Sequence, residues 1–126
     1  MPEAQQIVNA FHAYADALGH DNAAAAVALF AADAVVRDPI DAPPYEGTEA
    51  IRAFLAGGSG IIKSFTVSGP VRVVGDGRSG AAPMRVVLDF GDGPKTLHSI
   101  DVMTFDDDGR ITSMDAYYGP TNITEE

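Results

Sequence analysis

A carboxyl group on the inward face of a strand is the first feature of this sequence that asks for a chemical explanation. The run SIDVMTFDDDGR, residues 99–110, reads as a strand ending in a tight turn. Strand side chains alternate between two faces, so Ser99, Asp101, Met103 and Phe105 share one face, and Ile100, Val102 and Thr104 the other. Asp101 therefore stands beside a methionine and a phenylalanine. An unpaired carboxylate on such a face costs several kcal/mol. Lys95, near the strand's start, is the one cation on the same face of that strand. Unless a partner arrives from elsewhere, the favoured state is the neutral acid, because desolvation pushes a carboxyl pKa up. A carboxylic acid that stays protonated near neutral pH is an O–H donor.

Two other residues have chemistry-bearing side chains and quiet explanations. Asp38 lies in VVRDP, pushed into extended backbone by the following proline. Its side chain shares the inward direction of Ala34 and Val36, yet Asp-Pro is also a common turn opener. Tyr14 falls on an apolar helix stripe, where a tyrosine usually fills core and finds some acceptor for its hydroxyl. Other motifs carry less. The run Asp106-Asp107-Asp108-Gly109 lacks the alternating acids and terminal glutamate of a calcium loop and reads as a hairpin turn. GDGRSG is followed by a strand, not by the helix a phosphate loop needs. His12, His20 and His98 are scattered, with neither an HxH pair nor HExxH, so no metal site is expected.

The elements that must position these groups are legible in outline. Ile7, Phe11, Tyr14 and Leu18 recur at helical spacing, with Gly19 as the expected stop. Asp21 or Asn22 caps a second helix running to about Ala31, with Val27 and Phe30 inward. AVVRDP is a short strand, and IDAPPYEG a loop. Thr48 caps a third helix carrying Ile51, Phe54 and Leu55, ended by GGSG. Four strand-like stretches follow: KSFTVSGPVRVV with a Gly-Pro break, APMRVVLDF, KTLHSIDVMTF and RITSMDAYY. The hairpin-type turns GDGRSG, GDGP and DDDG separate them. Helices followed by an antiparallel meander is the α+β pattern, with helices over one face of the sheet.

With 126 residues the chain is expected to form one domain, residues 1–126, large enough to bury a core unaided. Its net charge of −10, from 18 acids against 8 bases, repels nucleic acid and anionic membranes. The absence of cysteine removes thiol nucleophiles and thiolate metal sites. AAAAVALFAA is too short to cross a bilayer, which takes about 20 residues, and MPEAQQ has no signal-peptide character, so a cytoplasmic protein is expected.

Three segments, AYADAL, LFAADAVVRDP with PPYEGTEAIRAFL, and SIDVMTFDDDGRITSMDAYY, resemble ketosteroid isomerases of the NTF2-like, SnoaL-like superfamily, and the likeness covers nearly the whole chain. The resemblance implies an α+β cone: three N-terminal helices packed on a curved, mostly antiparallel sheet that encloses a deep apolar pocket, usually in a homodimer. Residue by residue, it places Tyr14 at the family's phenol donor, Asp38 at its general base and Asp101 at its protonated acid. Phe30 and Leu55 stand where some members carry tyrosines that support the phenol. Met84 replaces a pocket phenylalanine, and Tyr118 stands where an aromatic wall residue is common.

The implied reaction converts a β,γ-unsaturated 3-oxosteroid to its conjugated isomer. Asp38 removes a proton, the charge moves to the carbonyl oxygen as a dienolate, Tyr14 and Asp101 donate to that oxygen, and Asp38 returns the proton at the far end. No cofactor or metal is needed. The expected walls for this steroid-like apolar substrate are Val36, Phe54, Met84, Val86, Met103, Phe105, Met114, Ala116 and Tyr118. Competing readings are a polyketide cyclase or an epoxide hydrolase of the same superfamily, or a non-catalytic carrier of a sterol or polyketide.

Overall fold

The computed structural model describes residues 2–125. Helix α1 (Ala4–Gly19) is followed by a single helical turn and a half, α2 (Ala23–Val27). Strands β1 (Phe30–Arg37) and β2 (Tyr45–Glu46) precede helix α3 (Gly47–Ala56). The rest is strand: β3 (Ile62–Val67), β4 (Arg72–Val73), β5 (Ser79–Asp89), β6 (Pro94–Phe105), β7 (Ile111–Tyr117) and β8 (Ile123–Glu125). The sheet runs β2-β1-β7-β6-β5-β3, with β4 beside β5 and β8 beside β6. β1 and β7 are parallel and every other pairing is antiparallel. The result is three helices on a mixed, open, curved sheet, the α+β architecture the sequence implies.

The stripe on α1 is buried as its spacing predicts: Ile7, Phe11, Tyr14 and Leu18 all lie in the core. α1 ends at Gly19, as expected, and His20 caps the end through its backbone N–H. What Gly19 provides is closeness, since a Cβ there would lie 3.3 Å from the Phe65 backbone N and O. The helix can therefore approach β3 more tightly than any larger residue would allow.

Three boundaries differ from the sequence reading. Asn22 caps α2 as expected, accepting from Ala25 N–H at 3.1 Å, but α2 ends at Val27 rather than near Ala31. Phe30 and Ala31 are already strand, because Phe30 pairs with Ile111 and Leu29 accepts from the Ile111 N–H. Sheet pairing overrides the helix preference of the alanines. The cap of α3 is Glu46, not Thr48. β2 runs straight into this helix, and Gly47 at φ 85° makes the bend, a conformation that favours glycine. β8 had no counterpart in the sequence reading; it extends the sheet along Lys95–Leu97.

The Gly-Pro break is real and separates β3 from β4, both of which pair with β5. The DDDG segment closes the β6–β7 hairpin, where the Asp106 carboxylate accepts from the backbone N–H groups of Asp108 and Arg110.

One packing point tests this architecture. A Cβ on Gly80 of β5 would meet Arg72 O at 3.0 Å and the side chains of Ile7 and Phe11 at 3.2 Å. Gly80→Val should destabilise the protein by about 1–3 kcal/mol, read as a lower urea midpoint at unchanged slope.

Candidate active site

Tyr14 projects from the third turn of α1 into the space between helix and sheet. Its ring is held edge-on by Phe30 at 6.1 Å and Phe65 at 5.7 Å between centroids. Tyr14 is 2% exposed, and no described residue hydrogen-bonds its hydroxyl. Among the described residues no fully enclosed side-chain polar atom lacks a partner, so this unbonded oxygen opens into the cavity that Tyr14 lines. Burial, and then the carboxylates of Asp101 and Asp38, push the phenol well above its ordinary pKa. It remains a protonated donor.

Asp38 follows the last residue of β1, joined to Pro39 by a cis peptide bond. The β1–β7 pairs Val36–Met114 and Arg37–Asp115 carry this end of β1 alongside β7, and the Ile40 N–H donates to Ala116 O at 2.8 Å just beyond. Asp38 is partly buried. Burial raises its pKa, and a hydrogen bond from the Tyr118 hydroxyl lowers it.

Asp101 lies in the middle of β6 and is 3% exposed. Its cross-strand neighbours are Ala82 on β5 and Ala116 on β7. Both are too short to cover the carboxyl, which is left facing the cavity. Ser99 Oγ donates to Asp101 Oδ1 at 3.2 Å. Lys95 gives it no partner, being bonded to Asp92 at 3.1 Å in the hairpin. Desolvation first, and the Asp38 carboxylate second, push Asp101 up to about 7, against the Ser99 hydrogen bond. Asp101 is thus the inward acid that strand alternation predicts, and among the described residues no cation bonds it.

The cavity has two lobes. One, of about 350 Å³, is lined by Tyr14, Leu18, Asp38, Phe54 and Leu55 among others. The second, of about 160 Å³, is lined by Asp38, Asp101, Ser99, Val86, Ala116 and Tyr118. Asp38, Ile62, Phe65 and Leu88 line both, so Asp38 sits where the lobes meet. Of the expected walls, Phe54, Val86, Ala116 and Tyr118 line a lobe. Val36, Met84, Met103, Phe105 and Met114 do not; they are packed in the hydrophobic core, 5% exposed or less. Strand parity alone could not separate these two groups, because core and cavity share the sheet's inner face. The sequence reading missed Ile61, Ile62, Phe65, Leu88, Leu97 and Phe90 as lining residues. Ile62, Phe65, Leu88 and Leu97 lie on β3, β5 and β6, and Ile61 and Phe90 in the turns beside them; their signal was only an apolar side chain, which any core residue also has.

Phe30 offers Tyr14 a ring edge and no hydroxyl, and Leu55 is an aliphatic wall. The relay of tyrosines absent from the sequence is absent from the site as well.

Helices on a curved sheet, with an apolar cavity between, define an NTF2-like fold, and this chain belongs to the SnoaL-like domain family, whose pattern matches residues 11–114. A relative from Nocardioides simplex, a steroid Delta-isomerase, is 38% identical over 110 residues, 87% of either chain. A solved structure, that of SalBIII, an epoxide hydrolase/cyclase-like enzyme with a role in pyran ring formation in the polyether salinomycin, superposes with a TM-score of 0.89. It covers 100% of both chains at 23% identity, a likeness of fold.

Because Asp101 holds its proton more tightly folded than unfolded, it favours the folded state at low pH. That contribution is lost as pH rises from about 4 through about 7. Asp101→Asn should flatten this part of the stability profile, leaving the slope Asp38 contributes, and should gain on the unaltered protein above pH 7. Urea midpoints between pH 4 and 8.5 test this.

Proposed function

We propose that this chain is a steroid Δ-isomerase that moves the double bond of a 3-oxo-Δ5 steroid into conjugation with the carbonyl. The observation that carries the reading is the convergence of Asp38, Asp101 and Tyr14 on one apolar cavity with no cation among its lining residues. The 38% identity to a steroid Delta-isomerase supports the same class of reaction.

Asp38, as carboxylate, takes the proton from the carbon between carbonyl and alkene. The electrons of that C–H bond enter the conjugated system, and charge collects on the carbonyl oxygen. Tyr14 and protonated Asp101 donate hydrogen bonds to that oxygen. Asp38 then delivers the proton to the far carbon of the dienolate, so no proton or electron is gained or lost overall. The two carboxyls need opposite protonation states, and perturbed pairs of this kind mark acid–base sites. A raised Asp101 suits the neutral role. The apolar lining suits a ligand that is mostly hydrocarbon.

In parts beyond the reaction itself, we read the whole of residues 1–126 as the catalytic domain and the working form as a cytoplasmic homodimer. No helix among the described residues is long and apolar enough to cross a membrane.

Incubation with a 3-oxo-Δ5 steroid should generate the strong ultraviolet band of the conjugated enone. Tight binding without that band would instead identify a carrier. Asp38→Asn should lower kcat by roughly 10²–10⁴, and Tyr14→Phe or Asp101→Leu by about 10²–10³ each. Near-normal turnover in Asp38→Asn would sink the mechanism. In the unaltered protein kcat/KM should fall as pH rises through about 7, where Asp101 loses its proton. Asp101→Asn keeps an N–H donor at every pH and should abolish that fall.

A further inference from the structure

Ser99 lies two residues before Asp101 on β6, so both side chains leave the same face of the strand. Both are buried, at 7% and 3% exposed, and both line the smaller lobe of the cavity. Across the sheet Ser99 stands beside Met84 of β5, whose thioether is a weak acceptor. On the other side, β7 pairs with β6 from Ile100 onward and β8 along Lys95–Leu97. The Ser99 hydroxyl turns along its own strand and donates to Asp101 Oδ1 at 3.2 Å. We propose that Ser99 is a positioning residue for the oxyanion donor: by bonding Oδ1 it makes that oxygen the carbonyl of the acid and leaves the proton on Oδ2, aimed into the cavity. This rests on the reading of Asp101 as a protonated donor, and adds which of its two oxygens donates.

A neutral carboxyl has one oxygen that only accepts and one that carries the proton. Left free, either oxygen can take either role, and the O–H spends part of its time turned away from the substrate. A hydroxyl that donates to Oδ1 removes that freedom. In the reverse arrangement, with Oδ1–H donating to Ser99, the serine hydrogen would need an acceptor of its own, and Met84 supplies only sulfur. With Oδ1 held, Oδ2 is the free oxygen. Ala82 and Ala116, the neighbours of Asp101 on β5 and β7, leave it uncovered.

The same bond carries a titration signature. Asp38 at the end of β1, Tyr14 on α1 and Tyr118 past β7 are the titratable groups whose charges couple to Asp101. Arg85 of β5 and His98 of β6 face one another on the sheet's other side, and Lys95 is bonded to Asp92. Burial and the Asp38 charge oppose ionisation of Asp101, and the Ser99 bond favours it. Such a bond is stronger to a carboxylate than to a neutral acid. Without the serine hydroxyl, Asp101 therefore keeps its proton to higher pH, yet points it less well.

Ser99→Ala removes one oxygen and no carbon. With a 3-oxo-Δ5 steroid as substrate, the fall of kcat/KM near pH 7 should move up by roughly half to one pH unit, the equivalent of one ordinary hydrogen bond. Below the fall, kcat should drop by about 3- to 10-fold, part of the roughly 10²–10³ that loss of a whole donor costs. Ser99→Thr keeps a hydroxyl on the same carbon and should restore both. A fall that stays at the same pH in Ser99→Ala would overturn the proposal and leave Ser99 a packing residue. A raised fall with kcat intact below it would refute the positioning role, and so would a threonine variant that behaves like the alanine one. A second measurement needs no substrate. The Asp101 side-chain carboxyl carbon, followed by NMR across pH in the ligand-free protein, should titrate higher in Ser99→Ala, and an unchanged midpoint counts against the proposal. Should the unaltered protein fail to isomerise the steroid, the reading of Asp101 as oxyanion donor fails, and the carboxyl titration still decides whether Ser99 bonds it.

Discussion

Two carboxyl groups share one apolar cavity with no cation to neutralise either, and the rest of the site follows from that constraint. Each is desolvated, and the Asp38 charge makes ionisation of Asp101 more costly. The pair therefore favours a state with one proton between them. Where the proton settles depends on small differences in hydrogen bonding. Asp38 faces a phenol, while Asp101 faces a single hydroxyl and is the more deeply buried. A site built this way can hold one ionised and one neutral carboxyl side by side at neutral pH.

The fold makes this arrangement possible by separating what is packed from what is open. The core beneath the cavity is dense: Ile7, Phe11, Met84, Met103, Ile111 and Met114 are all essentially inaccessible. Above it, between the helices and the curved sheet, lies room that side chains do not fill. Alanines at 82 and 116 keep the walls on either side of Asp101 low. Gly19 and Gly80 let α1 approach the sheet at its two ends, so that the Tyr14 ring is clasped by Phe30 and Phe65 rather than left to swing.

Likeness of fold extends further than likeness of chemistry. A chain at 23% identity shares this architecture across its full length and is described as an epoxide hydrolase/cyclase-like enzyme. Such breadth is expected of a scaffold whose function lies in the few polar groups that line its cavity. In this chain the polar side chains lining the cavity are those of two aspartates, two tyrosines and Ser99, in a lining that is otherwise apolar. Phe30 and Leu55 are apolar and leave Tyr14 without a chain of hydroxyls behind it.

Much of this was legible in the residues. Helical spacing marked the buried face of α1, strand alternation turned Asp101 inward, and glycine-rich turns marked each hairpin. These are local signals, set by the 3.6- and 2-residue periods of the backbone. The end of α2 was not legible, because the alanines from 23 to 32 favour helix and only pairing with β7 makes Phe30 a strand residue. Nor was the division of the inner face into core and cavity: Met103 and Ala116 follow the same alternation, yet one is packed and the other borders open space. The sequence by itself determined which side chains point inward and which can carry a proton. Tertiary structure alone decided that Asp38 and Tyr118 meet, since they lie 80 positions apart and are joined only through the parallel pairing of β1 and β7. It also decided that no cation reaches Asp101, because the absence of a partner is a property of everything around a group and is written in no single segment of the chain.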